Sequence, residues 1–194
     1  FKFLIVEDGI YENLTALFLL FCSGLFFYYL FTKKNKVKYQ TTYFLIMALL
    51  LFFGFGEEIS WGQRIFNIET NEYFLNNNLQ KETNLHNLQI NGVKLNKLIF
   101  TFGLGILIVI YFLFLPLLYR RINWINKIID KFGIHIPKLQ HFLFFIIGVG
   151  ILSLIPDNKK WELAETIFII AYSLTLIDPM NSKESFLLKK NHLK

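Results

Sequence analysis

The sequence predicts an all-α, polytopic transmembrane helical bundle, and three observations carry that reading. Hydrophobic residues make up 54% of the 194 residues, with 23 Phe among them. Apolar runs of about 20 residues recur, the length a helix needs to cross a hydrocarbon core of about 30 Å. Lys and Arg gather in alternate connections between those runs. A soluble domain of this size does not carry so much uninterrupted apolar sequence, and the chain is too short for a membrane core plus a large soluble domain. One integral membrane domain over residues 1–194 is expected, with the lipid bilayer as its first partner. The formal charge of +6 is not a nucleic-acid footprint, because in such a chain basic residues report orientation. Cys22 stands alone in an apolar run, which excludes an intrachain disulfide and a cysteine metal site and leaves it a packing role. The bias to Lys, Asn, Ile and Phe points to a bacterial protein, hence to the plasma membrane. The chain opens on Phe1 rather than Met, which leaves room for a preceding membrane helix or a signal sequence.

Five spans follow in order, at about 13–31, 42–61, 98–119, 139–155 and 161–177. The last two are short. The connections 33–38 and 120–138 and the tail after 182 hold 13 of the 20 Lys and Arg. With five spans these regions share one side, which predicts the N-terminus outside and the C-terminus cytoplasmic. Within the cytoplasmic segment 121–138, Ile122, Trp124, Ile125, Ile128, Ile129 and Phe132 recur at helical spacing. They predict an amphipathic helix in the interface, stopped at Gly133. The outer loop 62–97 is long enough to be a lid or binding loop. Within it Thr70 is the expected cap of a short helix through Tyr73, Phe74 and Leu75. Gly54 and Gly56, Gly103 and Gly105, and Gly148 and Gly150 are small residues suited to close helix packing.

The stretch Gly56-Glu57-Glu58-Ile59-Ser60-Trp61-Gly62-Gln63-Arg64 carries the chemistry. Paired carboxylates at the end of an apolar span cost several kcal/mol, roughly 2.5–3.5 each at the centre, and so mark a functional site. On a continuous helix Glu57, Trp61 and Arg64 fall on one face, with Trp61 as an interfacial anchor. The predicted topology gathers Glu7, Asp8, Glu12, Gln80, Glu82, His86, Asn87, Glu162 and Glu165 on the same outer side. His135, His141 and His192 fall on the other side. Glu57, Glu58, His86, Glu162 and Glu165 are the candidate catalytic residues, and Arg64, Trp61, Asn87 and Gln80 the candidate binding residues. Glu58, His86 and Glu162 are the candidate ligands of a divalent metal, Zn²⁺ or Mn²⁺. Metal-bound water would be nucleophilic near neutral pH. Without metal, crowded carboxylates raise one another's pKa, and one could act as general acid or base. The plainer alternative is structural: an ion pair of Glu57 or Glu58 with Arg64, and acids that complement helix N-termini.

That motif, with Asn78-Leu79-Gln80 and Glu82-Thr83-Asn84-Leu85-His86-Asn87 after it, resembles a group of bacterial integral membrane proteins with no established activity. The Glu57–Glu58 pair is also similar to the paired acids of the CAAX-protease and bacteriocin-processing (CPBP) intramembrane proteases, whose motif is Glu-Glu-x-x-x-Arg with histidines on later helices. Arg64 comes two positions late for that pattern and His86 lies in a loop, so only the Glu pair carries over. The function expected is hydrolase or transferase chemistry on a lipid-linked or membrane-embedded substrate. The alternatives are a non-catalytic subunit or sensor that binds a membrane protein partner through the outer loop and, last, a transporter.

Overall fold

The computed structural model describes residues 9–32, 38–90, 92–95, 103–156 and 160–181. Long helices form because the apolar runs carry few helix breakers, Pro116 being the exception taken up below, which leaves the intrahelical ladder as the way to satisfy their backbone. Helices α1 (Ile10–Thr32) and α2 (Lys38–Glu58) are followed by a left-handed turn at Ser60–Gly62 and the short α3 (Gln63–Phe66) and α4 (Glu72–Asn77). A two-stranded antiparallel hairpin pairs β1 (Gln89–Ile90) with β2 (Val93–Lys94). Then come α5 (Leu104–Val109), a π-helical stretch (Ile110–Phe114), α6 (Leu115–Arg121), α7 (Asn123–Phe132), α8 (Leu139–Ser153) and α9 (Lys160–Ile177). Among the described residues, three helical stretches are long and apolar enough to cross a membrane: Ile10–Thr32, Tyr39–Glu58 and Leu104–Arg121. The helix at 139–153 is shorter than that, and 160–177, though 18 residues long, carries Lys160, Glu162 and Glu165 and is less apolar. Glu7, Asp8, His192, the lysines at 33, 34 and 36 and those of the tail lie outside the described residues.

The core is built by α1, α2 and α9, through Cys22, Phe26, Phe44, Ala48, Ile169 and Leu176. Cys22 is fully buried there, in the packing role its apolar context predicts. Hydroxyl bonds cross between these helices, among them Thr15 Oγ1 with Thr166 Oγ1 at 2.8 Å and Ser23 Oγ donating to the Ala48 carbonyl at 2.8 Å. Such bonds join helices that have no polar alternative around them. His135 is buried against Phe26 and Phe44. The segment after α7 is latched to the end of α9. Met180 N donates to the Ile136 carbonyl at 2.7 Å, and Asn181 Oδ1 accepts from Ile136 N at 3.0 Å. The Lys138 ammonium meets Asp178 at 2.5 Å.

The predicted amphipathic helix forms as α7 and ends at Gly133, whose φ of 71° closes the helix in the left-handed region. Gly133 lies against the Gln40 side chain, so α7 sits at the start of α2. The carboxylate pair is at the other end of α2, about 30 Å away along 21 residues.

Pro116 explains the π-helical stretch. It has no N–H to give to the Phe112 carbonyl and its ring crowds that group, so the turn before it widens. The widened turn swings Tyr111 and Phe112 inward. Phe112 stacks on Phe145 with centroids 5.6 Å apart and meets Phe168 edge-on, while the Tyr111 hydroxyl donates to the His135 carbonyl at 2.8 Å. This aromatic layer ties the α5–α6 stretch to α8 and α9.

Of the glycines expected to permit close packing, Gly148 does so. A Cβ there would lie 2.9 Å from the Ile167 side chain, whereas Gly150 faces open space. Gly148→Ala is therefore expected to destabilise the α8–α9 contact by about 1–3 kcal/mol through overpacking. Gly150→Ala should leave stability unchanged or slightly raised. Thermal denaturation in detergent, comparing the two variants, checks this.

Candidate functional site

The helical reading of 57–64 is corrected by the backbone. Helix α2 stops at Glu58, and Ser60, Trp61 and Gly62 all take positive φ, at 48°, 55° and 75°. For non-glycine residues this costs roughly 1–2 kcal/mol each, so the surroundings must hold it in place. Gly56 is one reason the turn can form. The Trp61 ring folds back across it, and a Cβ at Gly56 would lie 2.8 Å from that ring. Trp61 also packs on Phe53 and its indole N–H donates to Glu57 Oε1 at 2.8 Å.

Glu57 is 5% exposed and organises the loop. Its Oε2 accepts from Leu85 N at 2.5 Å and His86 N at 3.0 Å. With the indole, three donors satisfy a buried carboxylate that would otherwise be costly. Both oxygens of Glu57 are thus taken up in holding the turn and the loop.

A side-chain network holds the rest of the loop. Asn84 Nδ2 donates to Ser60 Oγ at 2.9 Å, and Ser60 Oγ donates to Glu82 in a short contact. Asn78 Nδ2 donates to Asn84 Oδ1 at 2.9 Å, while Asn78 Oδ1 accepts from Gln80 N at 2.9 Å. Gln63 Oε1 accepts from Thr83 N at 2.7 Å. Thr70 does not cap α4. Asn71 does, accepting from Tyr73 N at 2.9 Å, and Thr70 instead donates to the Lys81 carbonyl at 2.7 Å. Arg64 meets Glu82 at 3.3 Å, and Asn87 donates to Gln80 at 2.5 Å.

These constraints bring three stretches of chain together. Ligand atoms of Glu58, His86 and Glu165 all lie within 4.8 Å of one another, an arrangement able to hold a metal ion. The trio contains Glu165 where the sequence reading put Glu162. Glu162 lines the same polar pocket, about 40 Å³ in volume, with Glu12, Thr15, Arg64, Gln80 and Asn87. A volume of that size takes an ion or a water or two. Burial pushes the His86 imidazole down to about 4, so it is neutral near pH 7, the form that ligates metal.

The trio also borders a second space. A cavity of about 570 Å³ is lined by Glu58, His86 and Glu165 at one end and by apolar side chains of α1, α2, α5 and α9. His141 is elsewhere, its Nδ1 3.1 Å from Thr175 Oγ1 toward the far end of α9. Sequence reasoning includes Ser60, Asn78 and Asn84 within its motif stretches but gives them no role. For the two asparagines a further signal is the density of Asn, Gln and Thr between 70 and 87, a composition that favours side-chain-to-backbone turns.

Glu57→Gln places an amide N–H against backbone donors. Losing charge-assisted bonds worth about 1.5–3 kcal/mol each should speed hydrogen exchange at the Leu85 and His86 amides by roughly 10- to 100-fold. Exchange within α1 should not change.

No protein family, curated protein or solved structure matches this chain.

Proposed function

We propose that the chain is a multi-pass enzyme of the plasma membrane that performs metal-assisted hydrolysis or group transfer on a lipid-linked or membrane-embedded substrate. The observation that carries this reading is the convergence of Glu58, His86 and Glu165 from three separate stretches, beside an apolar cavity. Two carboxylates and a neutral imidazole suit Zn²⁺ or Mn²⁺ and leave coordination positions open for water and substrate. A bound cation there would acidify its water and polarise a substrate oxygen. Glu162 stands one turn before Glu165 and is the carboxylate placed to accept a proton. Arg64, Gln80 and Asn87 line the pocket rim and would hold an anionic or amide-bearing head group. The kinship with bacterial membrane proteins that share the Glu-Glu motif belongs to the same proposal.

The membrane reading rests on three long apolar helices and on the exposed apolar side chains around them, such as Leu17, Ile46, Leu49 and Ile106. In this proposal α8 and α9 complete five spans, α8 reaching only about 22 Å and thinning the bilayer locally. The site loop faces outward and α7 lies in the cytoplasmic interface.

Elemental analysis of protein purified in mild detergent, without a metal-affinity tag, should find close to one zinc or manganese per chain. Glu58→Gln, His86→Ala and Glu165→Gln should each weaken that binding by more than about 100-fold, beyond the usual cost of losing an outer-shell partner. Metal-free protein after supplementation would remove the metal centre. For topology, Glu72→Cys should react with an impermeant thiol reagent from outside intact cells, and Lys127→Cys only after lysis. The reverse pattern would invert the orientation.

A second reading has its own observation. Ile65 and Phe66 are each 72% exposed at the loop edge, an apolar rim suited to a membrane protein partner. Crosslinking of such a partner from position 66, together with absence of metal, would put that reading first.

A further inference from the structure

The cavity behind the trio has a length and a polarity that bear on what it holds. Its wall follows one face of α2 through Tyr43, Met47, Leu50, Gly54 and Glu58, at helical steps of three and four residues. Tyr43 and Glu58 are fifteen residues apart, so the cavity runs about 22 Å along the helix. That exceeds half of a hydrocarbon core of about 30 Å, the depth one lipid chain covers in its own leaflet. The carboxylates and the imidazole are confined to one end, the middle is apolar, and tyrosine side chains line the other end. The side is open between α2 and α5, where the lining residues Leu50 and Leu107 are 59% and 62% exposed.

We propose that this cavity berths a single extended hydrocarbon chain of a lipid or lipid-linked molecule, entering sideways between α2 and α5, with its polar head at Glu58, His86 and Glu165. The inference rests on the reading of that trio as the reacting centre and names the substrate class for it: a head-and-tail molecule with one long chain in the cavity. The segregated lining matches such a molecule end to end. A peptide segment does not fit as well, because its backbone N–H and C=O groups would meet an apolar wall. The far end is lined by Tyr43, Tyr111 and Ile134. The α5–α6 stretch forms the outer wall, held off α2 by the aromatic layer around Phe112.

The test uses the full chain reconstituted in vesicles of phosphatidylcholine and phosphatidylglycerol. Two photoactivatable phospholipids are compared, with the diazirine either near the head or at the end of a sixteen-carbon chain. The head-proximal probe should label peptides containing His86 and Glu165. The chain-end probe should label those containing Tyr43 and Tyr111. Met47→Trp, which fills the middle of the cavity, should reduce chain-end labelling about tenfold, as a cost of 1.4 kcal/mol would. Leu45→Trp, on an exposed face of α2 that does not line the cavity, should not. Labelling confined to exposed positions such as Ile46 and Leu49, or independent of diazirine depth, overturns the berth, and the depth comparison needs no variant. Loss of metal with depth-resolved labelling intact would sink the metal centre and leave the berth. Metal bound with no depth-resolved labelling would do the opposite.

Discussion

The structure depends on one buried carboxylate. Glu57 lies within the last turn of α2, and its two oxygens accept from the Trp61 indole and from the Leu85 and His86 amides. A carboxylate in that position without donors would be strongly disfavoured. Satisfying it bends the chain back at Ser60–Gly62 and draws a loop almost thirty residues away onto the helix end. His86 is then held next to Glu58 by its own backbone. Without this clamp the imidazole would belong to a solvated loop.

The adjacent acids divide the work because a helix turns about 100° per residue. Glu57 faces the loop and serves its amides. Glu58 faces α9 and joins Glu165. Glu165 is positioned by the packing of α1 against both α2 and α9, with Thr15 bonded to Thr166 next to it. Electrostatic crowding at this end is therefore a product of helix packing as much as of the loop. The cation of the proposed function would offset the repulsion among the acids of the pocket, which would link metal binding to stability.

The apolar half of the site traces to Pro116. Its missing N–H widens α5–α6 into a π-turn, the turn sends Phe112 into Phe145 and Phe168, and those contacts prop the helix beside α2 rather than against it. Space remains between them, and its mouth meets the polar trio. One helical irregularity and one loop clamp thus meet at a boundary between polar and apolar surfaces. The proposed chemistry on an amphiphile would require such a boundary.

The helical class, the approximate ranges of the long helices and the amphipathic α7 were legible in composition and periodicity, because burial of apolar faces and backbone satisfaction act locally. Four of the five expected helical segments appear near their expected limits; the other, 98–119, is described from Leu104 onward and continues to Arg121. The acids, His86 and Arg64 were legible as a group on one side, since charge in an apolar context is conspicuous. Their roles were not. The spacing of Glu57, Trp61 and Arg64 suggested one helical face, but a left-handed turn supported by Gly56 and the Asn84–Ser60–Glu82 network intervenes. The cap of α4 moved from Thr70 to Asn71 because Thr70 is engaged by Gln63 and Lys81. Which of Glu162 and Glu165 approaches Glu58 depends on how α9 is rotated against α1 and α2, a matter of side-chain packing between distant segments. Sequence by itself determined that carboxylates and an imidazole belong to one end of an apolar helical chain. Tertiary structure alone decided which of them meet, because hydrogen bonds and close contacts between residues far apart in the chain leave no local periodicity to read.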